Sequence, residues 1–378
     1  MLDVYIITLA LAVGLGLTTT LLLLAASRTA RLAGLFHEGR GTSERPRWGG
    51  VVVFVTFALT PFIASAISDR ASELFSPKSG DFLAFLAACA LIFAVGFLDD
   101  WKVLGWRPKL LAQMAAASAV YSAGYSIDQV GLPWGPQFTL GLMAPVVTVL
   151  WVVFFTNAIN LVDGRDGVAA GVAILAAVTL AQVAANADHP TVALLLVAVA
   201  GAGLGLLPFN LPPASVYLGD SGALLLGFIL GALSIRAATG TTEAVFIAVP
   251  IVALGFPILD TVLAVVRRVL DHRNPLLGDQ DHIHHRLEHA GFGPRGLLAV
   301  LYTISALLAG AAILLHYVHV FALEALVLVG VLLLVAAILT RLGYIFSLWN
   351  SASLLWLRRR LGGADESTAS VLGHGEQD

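Results

Sequence analysis

The chain has 378 residues, of which 58% are hydrophobic and only 12% are Asp, Glu, Lys or Arg. Soluble domains carry about a quarter charged residues, so this composition excludes an ordinary soluble protein and offers no basic surface for nucleic acid. The net charge of -3 says little, and the single cysteine excludes an intrachain disulfide.

At about 20 residues per crossing, hydropathy predicts eleven apolar segments. They cover 4–26, 48–67, 81–98, 110–124, 140–158, 166–186, 191–208, 221–239, 244–266, 297–316 and 319–340. The expected fold class is an all-α polytopic membrane protein, with a multi-pass catalytic domain over 1–340 set in a lipid bilayer. Counted from an outside N-terminus, the loops after odd-numbered segments hold 18 of the 21 Lys and Arg. That bias predicts a cytoplasmic C-terminus and, for a bacterial chain, residence in the inner membrane. The first segment reads as a retained span, because Asp3 precedes it and Arg28 and Arg31 follow it, the reverse of a signal peptide. Ala25-Ala26-Ser27 would still be a tolerable cleavage site.

The third segment ends at Asp99-Asp100. Adjacent residues do not share a helix face, so at most one is expected to point into a site while the other orients it. Lys109 opens the fourth segment, where snorkelling to headgroups and a point charge on a phosphate both remain open. The fifth ends in Asn157-Ala-Ile-Asn160-Leu-Val-Asp163-Gly-Arg-Asp166-Gly. Asn160, Asp163 and Asp166 are three apart and share one face, while Gly164 and Gly167 let a ligand approach the backbone. Such oxygen donors suit Mg²⁺, or Mn²⁺ in its place; the plainer reading is a solvated acidic turn. Gly14, Gly16, Gly201, Gly203, Gly205, Gly227 and Gly231 predict close helix packing.

Ahead of the eighth segment, Phe209-Asn210-Leu-Pro212-Pro213 leads to Tyr217 and then to Gly219-Asp220-Ser221-Gly222. Two prolines make a stiff loop that would aim Tyr217 and Asp220 at one target, although Asp at a helix start is also an ordinary cap. The ninth segment carries Pro250, Gly255 and Pro257 and is expected to bend, opening a groove for a lipid tail. Asp260, late in that segment, reads as a partner of Arg267. The loop 267–296 contains His282, His284 and His285 with Arg286, a run suited to a transition metal or to phosphate and sugar. Beyond Arg341, Tyr344, Phe346, Trp349 and Trp356 predict an interfacial helix over 341–361. A disordered cytoplasmic tail is expected over 362–378.

All four polar clusters fall on the predicted cytoplasmic side. Charge beside lipid is costly, so their convergence points to a site for a metal and a charged substrate. A transporter would place ionisable groups at mid-membrane in repeated, broken helices, and no repeat is visible here.

Together, Asp-Asp…Lys, Asn-x-x-Asn-x-x-Asp-Gly-x-Asp-Gly, the Asn-x-Pro-Pro…Gly-Asp-x-Gly stretch and His-Ile-His-His-Arg-Leu resemble the polyprenyl-phosphate N-acetylhexosamine-1-phosphate transferases. The resemblance runs from about Gly49-Gly50 to the last segments. It implies that a UDP-N-acetylhexosamine gives its sugar 1-phosphate to a polyprenyl (undecaprenyl or decaprenyl) phosphate, with release of UMP. The His-Ile-His-His-Arg-Leu form looks like the UDP-N-acetylglucosamine branch rather than the muramoyl-pentapeptide branch. Carried over by position, Asn160 and Asp220 become the Mg²⁺ ligands, Tyr217 the ring that stacks on uracil, and Asp166 its hydrogen-bonding partner. Lys109 would grip the diphosphate, and Asp99, with Asp100 beside it, would serve as base toward the lipid phosphate. His282, His284 and Arg286 would hold the sugar phosphate end, with Asp163 and His285 completing the substrate-binding set. Arg165 and Val168 depart from the leucines common in the family, Gln280 replaces a frequent lysine, and the surroundings of His37 match poorly. The oligomeric state stays open, a homodimer included.

Overall fold

The computed structural model describes residues 1–28, 46–75, 80–131, 136–239, 245–272, 282–318 and 320–344. In chain order the helices are α1 (Leu2–Arg28), α2 (Gly49–Ile67), α3 (Asp69–Leu74), α4 (Gly80–Lys102) and α5 (Trp106–Ser122). Next come α6 (Ala144–Val162), α7 (Val168–Asn186), α8 (Pro190–Asn210), α9 (Gly219–Ala237), α10 (Ala248–Ala253) and α11 (Gly255–Leu270). The last are α12 (Ile283–His289), α13 (Pro294–Tyr317) and α14 (Phe321–Arg341). Among the described residues, nine of these helices are long and apolar enough to cross a membrane.

The nine coincide with nine of the eleven expected segments. The fourth is α5, shorter at 17 residues. The ninth is broken at Leu254 into α10 and α11, with Pro250 in the first piece and Pro257 in the second, so the expected bend is present. A feature that hydropathy does not foresee is a small sheet of order β2-β1-β3, made by β1 (Gln129–Gly131), β2 (Gln137–Thr139) and β3 (Val245–Phe246). It ties the C-terminal ends of α5 and α9 together, at the end of the bundle opposite Asp99 and Lys109. The expected interfacial helix and tail lie outside the described residues from position 345 onward, as do His37 and Gln280.

Helix α9 is the axis of the fold. It packs against α2, α4, α6 and α7, and 89% of its apolar window is buried, against 6% for α14. Small residues make that burial feasible: a Cβ on Gly227 would lie 2.6 Å from the Phe155 carbonyl oxygen of α6. Gly16 of α1 and Gly205 of α8 meet the same way, the Cβ of one falling 2.8 Å from the Cα of the other. Close backbone approach is how helices associate where no water drives them together. Because the helices alternate in direction, the C-terminal ends of α4, α6, α8 and α11 and the N-terminal ends of α2, α5, α7, α9 and α13 gather at one end of the bundle. All four polar clusters sit there.

Candidate active site

The site is built on the first turn of α9. Gly219 enters it with φ +74, and a Cβ there would also fall 2.6 Å from Asp100 Oδ2, so two constraints call for glycine. The Asp100 carboxylate accepts hydrogen bonds from Asp220 N (2.9 Å), Ser221 N (3.0 Å) and Ser221 Oγ (2.7 Å). Asp100 on α4 thus satisfies the amides that open α9. The Asp220 side chain is turned to Lys109 instead, so the capping is done by Asp100, which answers the capping alternative. Backbone pairing fixes the approach: Tyr217 N donates to Pro46 O, Gly49 N to Tyr217 O and Gly50 N to Leu218 O, at 2.9–3.0 Å.

Lys109 Nζ lies 3.1 Å from Asp99 Oδ2 and 3.1 Å from Asp220 Oδ2. It points into protein, so the snorkelling alternative does not hold. The other oxygen of Asp99 accepts the Leu104 amide at 2.5 Å, and Asp99 is fully buried. The two adjacent carboxylates take different surroundings, as expected of neighbours on a helix. Half-buried Asp100 borders the cavity, while Asp99 stands behind Lys109 with both oxygens engaged. Helix rotation decides this, and it is set by Gly96, where a Cβ would come within 2.5 Å of Ser221 Cα. One turn beyond Lys109, Gln113 exchanges amide hydrogen bonds with Asn157, at 2.6 Å in the shorter direction.

The loop between α6 and α7 forms the facing wall. Gly167 has φ +80 and donates its N–H to Asn210 Oδ1 (3.1 Å), while Asn210 Nδ2 reaches Val216 O (2.9 Å). Asp166 Oδ2 accepts the Ala214 amide at 2.9 Å. Asn210 and Asp166 therefore lock the 163–167 and 211–217 loops to each other. Between these loops and α9 lies a cavity of about 320 Å³ whose lining includes Arg47, Asp100, Asp163, Asp166, Tyr217 and Asp220. Burial holds the Asp163 carboxyl well above the usual carboxylate range, and Asp220, Asp100 and Asp166 push the same way, opposed by Arg47.

Among the described residues, no three His, Cys, Asp or Glu side chains are grouped to hold a metal unaided. Mg²⁺ does not require that, since it takes one or two carboxylates and completes its shell with phosphate and water. Crowded oxygen donors with an excess of negative charge fit such an ion. Asn160 stands half-buried in the last turn of α6, its carbonyl accepting the Asp163 amide at 3.3 Å, and does not border the cavity.

Asp260 on α11 positions the histidine helix. Its Oδ2 lies 2.8 Å from His282 Nδ1 and its Oδ1 accepts the Ile283 amide at 2.8 Å. The residue read as a partner of Arg267 is thus the anchor at the start of α12. The His284 and His285 rings lie 4.1 Å apart, with His282 parallel to His284 at 5.5 Å. Burial pushes His284 down to about 4, with His285 adding to the effect, and burial followed by Arg165 lowers His285 as well. Both are neutral at pH 7. Among the described residues, His284 Nε2 and His285 Nδ1 are buried without a hydrogen-bond partner. His284 Nε2 faces Gly164, where a Cβ would fall 2.5 Å from it.

Arg286 goes elsewhere: its Nη1 donates to Leu342 O (3.0 Å) and its guanidinium lies over the Tyr344 ring. Arg165, noted in the sequence only as a departure from the family pattern, and Glu288, which the sequence does not single out, join the 163–167 loop to α12. Arg165 Nε donates to Glu288 Oε1 and Arg165 Nη2 to Glu288 Oε2 (2.6 Å). They border a second cavity of about 780 Å³ that shares Gly164, Arg165, Asp166 and Tyr217 with the first.

Comparison with known proteins adds relatives to this geometry. The family model described as Glycosyl transferase family 4 matches residues 82–238. The Bacillus subtilis protein named as a probable undecaprenyl-phosphate N-acetylglucosaminyl 1-phosphate transferase is 32% identical over 271 residues, 71% of this chain and 73% of that relative. A Mycolicibacterium smegmatis decaprenyl-phosphate N-acetylglucosaminephosphotransferase is 32% identical over 290 residues, 71% of each chain. A phospho-N-acetylmuramoyl-pentapeptide-transferase of Staphylococcus epidermidis is 27% identical over 282 residues, 68% of this chain and 81% of the relative.

Proposed function

The chain belongs to glycosyl transferase family 4, and on that premise we propose that it transfers N-acetylglucosamine 1-phosphate from the UDP-sugar to a polyprenyl phosphate. The observation that carries the reading is the single cavity shared by Asp100, Asp163, Asp166, Tyr217 and Asp220, with Lys109 held against Asp220. The acetylglucosaminyl names of the more similar relatives favour that sugar over the muramoyl-pentapeptide.

In the reaction, an oxygen of the lipid phosphate attacks the sugar-bearing phosphorus. The bond from that phosphorus to the bridging oxygen breaks, and UMP leaves with the electron pair. A phosphate monoester is mostly ionised near neutrality, its second pKa being about 6, so no strong base is needed. Buried Asp99 acts here by holding Lys109, whose ammonium neutralises charge gathering on the diphosphate. Asp100 sets the first turn of α9 and with it the direction of Asp220. Tyr217 offers a face to the uracil ring, and the 163–167 loop lies beside it. His284, neutral with an open ring nitrogen, is suited to hydrogen bonding with a phosphate or sugar oxygen.

A divalent cation, Mg²⁺ or Mn²⁺, would be held by Asp220 with Asp163, or with Asn160 after local adjustment. It would supply charge neutralisation at the diphosphate. The positive bias of one set of loops supports a cytoplasmic active site in a bacterial inner membrane. Purified protein in detergent is expected to release UMP from UDP-N-acetylglucosamine only when polyprenyl phosphate is supplied. Release without the lipid acceptor, or only from the UDP-muramoyl-pentapeptide, would overturn the assignment.

A further inference from the structure

The histidine helix α12 has seven residues, too few to hold a position by itself. Asp260 fixes its start and Arg165 its loop-facing side. A third hold reaches it from the far end of the chain. After α14, Gly343 turns the backbone with φ +69 and delivers Tyr344 into the protein, where only 1% of it is exposed. The Arg286 guanidinium lies 3.8 Å from the centroid of that ring, and Arg286 Nη1 donates to Leu342 O at 3.0 Å. Arg267 of α11 stands 5.8 Å from the same centroid. One buried ring therefore collects cations from the helix that carries Asp260 and the helix that carries the histidines. A desolvated guanidinium over an aromatic face is among the stronger contacts of this kind.

We propose that Arg286 and Tyr344 are positioning residues for the transfer reaction. They clip α12 in the register that sets His284 Nε2 against Gly164, and Arg286 is not a ligand of the substrate phosphate. The kinetic half of this inference rests on the transferase reading; the structural half does not. Since 6% of the apolar window of α14 is buried, loss of the Tyr344 ring should be felt at α12 more than in the core of the bundle.

The test uses full-length protein in detergent with four forms: wild type, Tyr344→Phe, Tyr344→Leu and Arg286→Lys. Hydrogen exchange of the 283–289 amides is followed beside kcat and KM for UDP-N-acetylglucosamine, with thermal unfolding as a check on the fold. Lysine keeps the charge but lacks the planar guanidinium. Tyr344→Leu and Arg286→Lys should each accelerate exchange in α12 and lower kcat about tenfold, with KM changed less, as loss of a desolvated stacked contact would give. Tyr344→Phe should retain both wild-type exchange and wild-type kcat. If Tyr344→Leu unfolds the protein, Arg286→Lys carries the same two readouts.

Unchanged exchange and turnover in Tyr344→Leu would overturn the clip. So would a Tyr344→Phe defect as large as that of Tyr344→Leu, or a defect of Arg286→Lys confined to KM with α12 protection intact. Absence of UMP release by the wild type would sink the transferase reading instead, and the exchange data would still decide whether the clip exists.

Discussion

The carboxylate–lysine corner of α4, α5 and α9 and the histidine helix meet at the 163–167 loop, and they are secured in different ways. In the corner, Asp99, Asp100, Lys109 and Asp220 are tied to one another and to backbone amides at 2.5–3.1 Å. It stands on α9, the most deeply buried long helix. The histidine helix is seated differently. Ile283 and Leu287 sink into the hydrophobic core, while Asp260, Arg165 and Tyr344 hold its polar side, and two buried ring nitrogens have no partners among the described residues. One region is preorganised, as fixed charges near a reacting phosphate should be. The other rests on two apolar side chains and three polar contacts, with two open ring nitrogens, of which His284 Nε2 faces the loop.

The largest expected effect belongs to the corner. Asp220→Asn keeps the shape and removes the charge, and kcat should fall about a thousandfold, comparable to loss of a strong transition-state stabiliser. The same variant should show a smaller rise in melting temperature on addition of Mg²⁺ than wild type. Near-normal turnover in Asp220→Asn would erase the contrast between the two regions.

Lys109→Met comes next and should cost stability as well as rate. It strands Asp99 as a buried carboxylate beside half-buried Asp220, and breaking a buried pair typically costs about 3–5 kcal/mol. Denaturant or thermal unfolding should show the loss, and Asp99→Asn in the Lys109→Met background should recover part of it. No recovery would mean that Asp99 does not depend on Lys109 as its geometry suggests.

These two sites also mark how far sequence reading reaches. The nine long spans and the bend near Pro250 and Pro257 are legible because apolar length and proline act locally. Asp220, Asp163 and Asp166 are legible because carboxylates in a greasy chain need a reason to be there. Which of Asp99 and Asp100 borders the cavity is not legible, since it turns on a contact between Gly96 and Ser221 that no local pattern encodes. Gln113 and Asn210 look like ordinary amides until their partners on other helices are known. Asp260 has Arg267 at helical spacing, which hides its distant partner at His282. Nor is the stacking of Arg286 on Tyr344 legible, since the ring lies 58 positions further along the chain.

The histidine helix should announce itself in pH dependence. Burial holds His284 at about 4, below the ordinary value of 6.5, and His285 is lowered too. The unfolded chain therefore binds more protons than the folded one between those limits. Stability should fall as pH drops from about 6.5 toward 4, and rise with pH across that window. Melting temperatures measured from pH 7 to pH 5 should decline less steeply in His284→Gln than in wild type. Equal slopes would show that the ring is not desolvated as described.

The smallest effect is expected at Arg165 and Glu288, and it sharpens the contrast most finely. Both side chains are more than a third exposed (42% and 35%), and exposed pairs contribute about 0.2–1 kcal/mol. Their bidentate geometry is better than most, however, and they join the substrate loop to the helix carrying His284 and His285. Arg165→Glu should therefore raise KM for the UDP-sugar a few-fold, in keeping with that modest energy. Adding Glu288→Arg should restore part of the loss, and raised salt should shrink the difference between wild type and the single variant. The Lys109–Asp220 contact, which is less exposed, should respond to salt far less. A charge swap without rescue would mean that the loop and the helix are coupled through the His284–Gly164 contact alone.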